Sequence, residues 1–156
     1  MKIQDKIKLY GGILYSLDEQ EPVYIPNVVC RVGRERLASH AANNATTNYW
    51  FSHLGLGTGT DPASTEDLAM GVEYYRVHFD RVFAVNYTVF GDVVITGNMI
   101  DTYLDVDLGS GVYQITEVGL LNSLAGGHLI CRQVFDCQLE LQGNTQLEIL
   151  WGVVMT

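Results

Sequence analysis

Tyr113-Gln-Ile-Thr-Glu-Val-Gly-Leu-Leu121, Asn122-Ser-Leu-Ala-Gly-Gly127 and His128-Leu-Ile-Cys-Arg-Gln-Val-Phe-Asp-Cys-Gln-Leu-Glu-Leu141 read in succession as strand, turn and strand. In the second run Leu129, Cys131, Phe135, Cys137, Leu139 and Leu141 share one side, interrupted by Gln133. His128, Arg132, Asp136, Gln138 and Glu140 fall mostly on the other, the period of two that a half-buried strand requires. Gly126-Gly127 can take the positive φ values of a tight turn. After a second turn signal at Gly143-Asn144, Leu147, Ile149, Trp151 and Val153 alternate with Gln146 and Glu148. The pattern predicts a three-stranded C-terminal meander that acts as the packing platform for everything before it.

The rest of the chain continues in the same idiom. Ile3, Ile7 and Leu9 alternate with Lys6 and Lys8 until Gly11-Gly12 interrupts them, which fits an arm and edge strand. Pro22 and Pro26 keep Val23–Asn27 extended. Arg34–Ala42 is rich in helix formers and is the one helix of any length that the sequence suggests. Tyr49–Leu56 reads as a strand entering the loop Gly57–Ala69, where Ser64 can cap a short turn that carries Glu66 and Asp67. Tyr75–Phe90 is the longest alternating run, with a bend or bulge at Asp80-Arg81. Val93–Ile95 and Asp101–Leu108 add short strands around Gly97-Asn98 and Gly109-Ser-Gly111. Roughly seven to nine strands at this spacing predict an all-β, single-domain antiparallel β-sandwich, jelly-roll-like, with one short helix. Residues 1–26 form the arm and edge strand, and residues 27–156 the sandwich.

A chain of 156 residues suits one domain, and 17% charged with 47% hydrophobic residues excludes a disordered one. The abundance of Tyr, Val, Thr and Gly fits β-structure with covered surface, hence a homo-oligomer. A net charge of −9 disfavours nucleic acid and anionic membrane as partners. The charge is unevenly spread: Lys2, Lys6 and Lys8 are all of the lysines, and with Asp5 they give the first eight residues +2 and the remainder −11. That arm is either a solubilising terminus or a segment that lies on an acidic neighbour. Cys131 and Cys137, six residues apart on one strand, would be about 20 Å apart and cannot bridge each other. Cys30 could meet either, but three reduced, mostly buried thiols are expected. Met1–Lys8 lacks the apolar centre of a secretion signal, and no run approaches a membrane span. Folding in a cytoplasm is expected.

No chemistry-bearing constellation stands out. Gly55-Leu-Gly-Thr-Gly59 has glycines that could approach a phosphate, but no Lys-Ser/Thr follows and Asp61-Pro62 stands where a nucleotide-binding helix would open. Asp101, Asp105 and Asp107 alternate with Leu104, Val106 and Leu108 as a strand does, without the spacing of a calcium loop. His40, His53, His78 and His128 lack metal-ligand spacing. Cys131 and His128 fall on opposite faces of their strand, against a nucleophile pair. The expectation is a protein that is not an enzyme, with no catalytic residues, cofactor or metal.

Three stretches taken together carry a resemblance. They are Asn27-Val-Val-Cys-Arg-Val-Gly-Arg-Glu-Arg-Leu-Ala38, then His53-Leu-Gly-Leu-Gly-Thr-Gly-Thr-Asp-Pro-Ala-Ser-Thr-Glu-Asp-Leu-Ala69, then Ile115-Thr-Glu-Val-Gly-Leu-Leu121 with Gly127-His-Leu-Ile-Cys-Arg132. In order and spacing they resemble a group of tailed-bacteriophage virion proteins, over about residues 27–154. Leu121 stands where that group usually has Phe, Cys131 where it has Ala, and the arm before residue 27 lies outside the pattern. The resemblance implies a non-enzymatic structural protein of the virion. A compact domain without fibre repeats or heptads favours a capsid cement or decoration subunit that contacts other virion proteins. A neck or tail-fibre anchoring subunit is the alternative, and a carbohydrate-binding module a more distant one. On this reading Gly55, Gly57, Gly59 and Gly119 shape the backbone, and Glu117 pairs with Arg132 on the next strand. Lys2, Lys6, Lys8, Tyr49, Trp50, Tyr74 and Tyr75 are the interface candidates.

Overall fold

The computed structural model describes residues 9–18, 20–36, 52–78, 81–90, 93–105, 111–142 and 146–155. They form nine strands: β1 (Leu9–Leu17), β2 (Val23–Val29), β3 (His53–Gly57), β4 (Glu73–His78), β5 (Arg81–Phe90), β6 (Val93–Asp105), β7 (Tyr113–Leu121), β8 (Leu129–Leu141) and β9 (Gln146–Met155). One short helix, α1 (31–36), follows β2. The strands hydrogen-bond into a single sheet in the order β4-β3-β7-β8-β2-β1-β9-β6-β5, and every neighbouring pair is antiparallel. The all-β expectation holds.

The hairpin β7–β8 forms where the alternation places it, and its turn uses Gly126 at φ 63° and Gly127 at φ 76°. The third strand does not complete a meander. β9 pairs with β1 and β6, and the neighbour of β8 is β2. β1 is correspondingly not an edge strand; it lies between β2 and β9, in the middle of the sheet. Gly11-Gly12 does not interrupt it. A Cβ on Gly11 would fall 1.6 Å from Asn27 Oδ1, and one on Gly12 2.5 Å from Tyr24 Cε2, so the glycines let side chains of β2 cross over β1. Gly97-Asn98, read as a turn signal, lies inside β6, whose partners Val85 and Ala84 continue the ladder. The helix begins three residues before the expected Arg34–Ala42, and residues 37–42 lie outside the described ones.

The run Tyr75–Phe90 divides near the expected bend, and its halves become the two outer strands, β4 and β5, at opposite ends of the order. His78 and Arg81 are three peptide units apart, which spans at most about 11 Å. The sheet therefore curls far enough to bring the end of β4 near the start of β5, while the two outer strands remain unpaired with each other. β2 is the corner: it pairs with β1 through Val23–Asn27 and with β8 only through Val28 and Val29. Across that corner Tyr15 on β1 meets Phe135 on β8 edge to face, with centroids 4.9 Å apart, although the two strands are not ladder neighbours. Strand order describes one curled sheet; a two-sheet or jelly-roll class goes beyond it.

The main core gathers Ile13, Leu54, Leu120, Leu141, Ile149 and Trp151, each at 1% exposure or less. A smaller cluster of Cys30, Met70, Leu121 and Leu129 lies apart from it. This corrects the expected face of β8. The register against β7 shifts between Ile115 and Glu117, where the partners jump from Leu139 to Val134, and again between Leu120 and Leu121; Ile130 lies in the main core and Leu129 in the satellite cluster. Cys137 is exposed, whereas Cys30 and Cys131 are buried, and all three are free thiols.

Candidate functional site

Gly57, Gly59, Glu117 and Arg132, from the second and third of the resembling stretches, converge on one buried polar knot. β3 and β7 pair with Gly55 opposite Gly119 and Gly57 opposite Glu117, so those four positions share a face. β8 adds Arg132 opposite Gly119. Over this face lies the segment 58–72, an Ω-loop whose ends are closed by Thr58 N–H donating to Val72 O at 2.9 Å.

Glu117 is fully buried and its carboxylate is saturated. Oε1 accepts from Gly59 N at 3.0 Å and Val72 N at 2.6 Å, and Oε2 accepts from Gly71 N at 3.0 Å and Arg132 Nε at 2.7 Å. A carboxylate offers about four lone-pair directions, and four donors occupy them. Arg132, 3% exposed, uses Nη1 on Asp67 Oδ2 at 2.9 Å and Nη2 on Asp61 O at 3.1 Å. Thr116 Oγ1 donates to Gly59 O at 2.9 Å and adds a further tie from β7 to the loop. The expected Glu117–Arg132 pair is thus present, with the loop wrapped around it.

The electrostatics follow from this packing. Burial by itself would raise the pKa of Glu117, but the Val72 and Gly71 amides and Arg132 more than offset it and hold the carboxyl below its ordinary value. Burial pulls the pKa of Arg132 down, and Asp67 and Glu117 reverse that, leaving it raised. Both side chains stay charged at neutral pH.

The motif glycines make room for these groups. A Cβ on Gly57 would sit 2.4 Å from Val72 O and 2.6 Å from Glu117 Oε1, and one on Gly59 2.5 Å from Glu117 Oε1. Gly55 and Gly119 instead receive Met70, whose sulfur would be 2.4 Å and 2.9 Å from their added Cβ atoms. At the turn expected around Ser64, Asp67 Oδ2 accepts from Ser64 N–H and Ser64 Oγ accepts from Glu66 N–H. Arg31 N–H donates to Thr65 O, and the Arg31 guanidinium pairs with Glu66 and Glu35 in the open. On β4, Arg76 pairs with Glu73 and donates to Ser123 O and Gly126 O, which fastens the β7–β8 turn to the neighbouring edge.

Met70, Gly71 and Val72 belong to the knot and were not singled out by the sequence, and Asp67, expected only in the turn capped by Ser64, also pairs with Arg132. The only cue was the length of the loop, since Glu117 binds it through backbone amides that any residue supplies. The cross-strand pair His53–His78 was also missed, because their 25-residue separation hides the β3–β4 register. Their rings meet edge to face at 5.1 Å, and Ser52 Oγ lies 2.7 Å from His53 Nδ1. Among the described residues, no group of three or more His, Cys, Asp or Glu is arranged to hold a metal ion. Of the interface candidates, Tyr74 and Tyr75 are 49% and 37% exposed on β4, with Tyr74 against Tyr113 at 4.9 Å. Lys2, Lys6, Lys8, Tyr49 and Trp50 lie outside the described residues. No helix among the described residues is long and apolar enough to cross a membrane.

No protein-family model, no curated protein and no solved structure matches this chain.

Proposed function

We propose that the chain is a non-enzymatic structural subunit of a tailed-bacteriophage particle, specifically a capsid cement or decoration subunit that binds neighbouring virion proteins and copies of itself. The observation that carries this reading is the saturation of Glu117. The acid at the centre of the resembling motifs gives all four of its acceptor directions to Gly59, Gly71, Val72 and Arg132. It has no capacity left for a substrate or a metal, and its work is to fasten a loop to a sheet. The exposed Val72, Tyr74 and Tyr75 at the outer strand β4 support the same reading, because rigid aromatics beside an open sheet edge suit subunit contacts. The setting is then the virion, assembled in a host cytoplasm, with no cofactor required.

The test is recovery. Particles of the encoding phage, purified through a density gradient and digested for quantitative mass spectrometry, should contain the chain in many copies. Its absence from particles while it remains abundant in the lysate rejects the reading. One or a few copies per particle favours the neck or tail-fibre anchoring station, and specific retention on a glycan array favours a receptor-binding module.

A further inference from the structure

β4 is an outer strand of the order, joined to the sheet by β3 alone. Little apolar burial holds it: Glu73, Tyr74, Tyr75 and His78 are exposed, and Arg76 and Val77 are half-buried. A strand so placed opens at low cost. Arg76, balanced by Glu73, ties its middle to Ser123 O and Gly126 O. Its last residue makes a second kind of contact. His78 is the direct Cα partner of His53 on β3, so the two side chains leave the sheet on one face. That face is the one that bears the knot, because His53, Gly55 and Gly57 follow one another at a period of two. The rings meet with centroids 5.1 Å apart and planes at 86°. His53 is 9% exposed, with Ser52 Oγ 2.7 Å from its Nδ1, whereas His78 is open to solvent.

We propose that His53 and His78 are the two protein ligands of a divalent transition-metal ion, of the zinc or nickel kind, which staples β4 to β3. Two imidazoles on one tetrahedral ion, at metal–nitrogen bonds of about 2.0–2.1 Å, hold their ring centroids about 5 Å apart. The pair already stands at that separation. Ser52 supplies the orienting contact that ligating histidines ordinarily have: when Nδ1–H donates to Ser52 Oγ, Nε2 keeps the lone pair that a metal takes. Burial, with His78 and Arg76, lowers the pKa of His53 from 6.5, so that the ring is mostly in its neutral, ligating form at pH 7. An imidazole has two ring nitrogens, and one can hydrogen-bond while the other ligates. No third His, Cys, Asp or Glu joins the pair among the described residues, and the open side of His78 leaves the remaining positions to water. Imidazole suits Zn2+ and Ni2+, whereas Mg2+ and Ca2+ take oxygen ligands. What the ion adds is a tie between two strands where apolar burial is thin. The inference does not depend on the virion reading.

Zinc titration of the full-length protein, first freed of metal with a chelator, tests this. Calorimetry at neutral pH should give about one Zn2+ per chain with the stoichiometry set by the histidine pair, and Mg2+ should not compete. Ser52→Ala should weaken binding about tenfold. His78→Gln, at an exposed position that the fold tolerates, should weaken it further. Affinity should fall as pH drops through about 6.5, because a ligating imidazole must be neutral. Zn2+ should also slow hydrogen exchange of the β4 amides in the parent and leave it unchanged in His78→Gln. No uptake of Zn2+ by the parent, uptake that His78→Gln leaves unaltered, or exchange on β4 indifferent to Zn2+ overturns the proposal.

Discussion

Replacing Glu117 with Gln keeps the size of the side chain and removes its charge, which sets the buried knot against itself. The carboxylate takes two donors on each oxygen, from Gly59 and Val72 on one and from Gly71 and Arg132 on the other. A carboxamide retains one acceptor oxygen and turns its NH2 toward two donors, each left unsatisfied at roughly 1–3 kcal/mol. Arg132, 3% exposed, then keeps Asp67 as its one paired carboxylate among the described residues. Breaking a buried pair from one side costs about 3–5 kcal/mol, and that is the loss expected in urea denaturation of Glu117→Gln. Arg132→Met should cost less, about 2–3 kcal/mol, because Glu117 keeps its three amides. The double variant should lie about 2 kcal/mol closer to the parent than the sum of the singles. The pH profile gives a second reading. The folded pKa of Glu117 is depressed below its ordinary 4.5, so the unfolded chain takes up this proton first. The contribution is complete above the ordinary carboxylate range and is lost as pH falls through the depressed folded value; Glu117→Gln should flatten that limb. Single variants that add within about 0.5 kcal/mol, with the acid limb unchanged, would refute the knot as a cooperative fastening.

Three further outcomes follow from particular contacts. Gly57→Ala should destabilise more than Gly55→Ala, by about 1 kcal/mol or more, because its Cβ meets the Val72 carbonyl whereas that of Gly55 meets the ends of the flexible Met70 and Leu121 side chains; thermal melts compare them, and equal losses contradict the steric assignment. In dilute native protein at neutral pH a maleimide should label Cys137 alone, since Cys30 is buried with its pKa pushed up to about 11 and Cys131 is buried and raised further; rapid labelling of three thiols opposes this core. Burial, His78 and Arg76 lower the pKa of His53 from 6.5, so the unfolded chain protonates it first and stability should fall as pH drops through about 6.5. His53→Gln should remove that component in pH-dependent denaturation, and an unchanged slope counts against it.

The sequence carried the local half of this fold and not the long-range half. Alternation located β7, β8 and β9, because a period of two reports which face a residue takes. It is silent on which strand lies next door, and so β9 looked like the partner of β8 when β1, β2 and the curl of the sheet place it between β1 and β6. Gly11-Gly12 misled because glycine marks turns and also marks sites where a neighbour crosses close, as Asn27 and Tyr24 do over β1, and Gly97-Asn98 misled because a glycine can also stand inside a continuous ladder. Glu117 and Arg132 were legible as a pair since they stand on adjoining strands of one hairpin. Asp67 and the amides of Gly71 and Val72 were not, because a backbone donor has no signature in sequence and the loop that supplies it reaches the site only after folding.

Cryo-microscopy of the intact particle, at a resolution that traces side chains, bears on the proposed role without an intermediary. A cement or decoration subunit should appear as the nine-stranded fold repeated at equivalent positions on the capsid lattice, in contact with its neighbours. A particle whose density has no place for this fold, while the chain stays behind as a free monomer, contradicts that role.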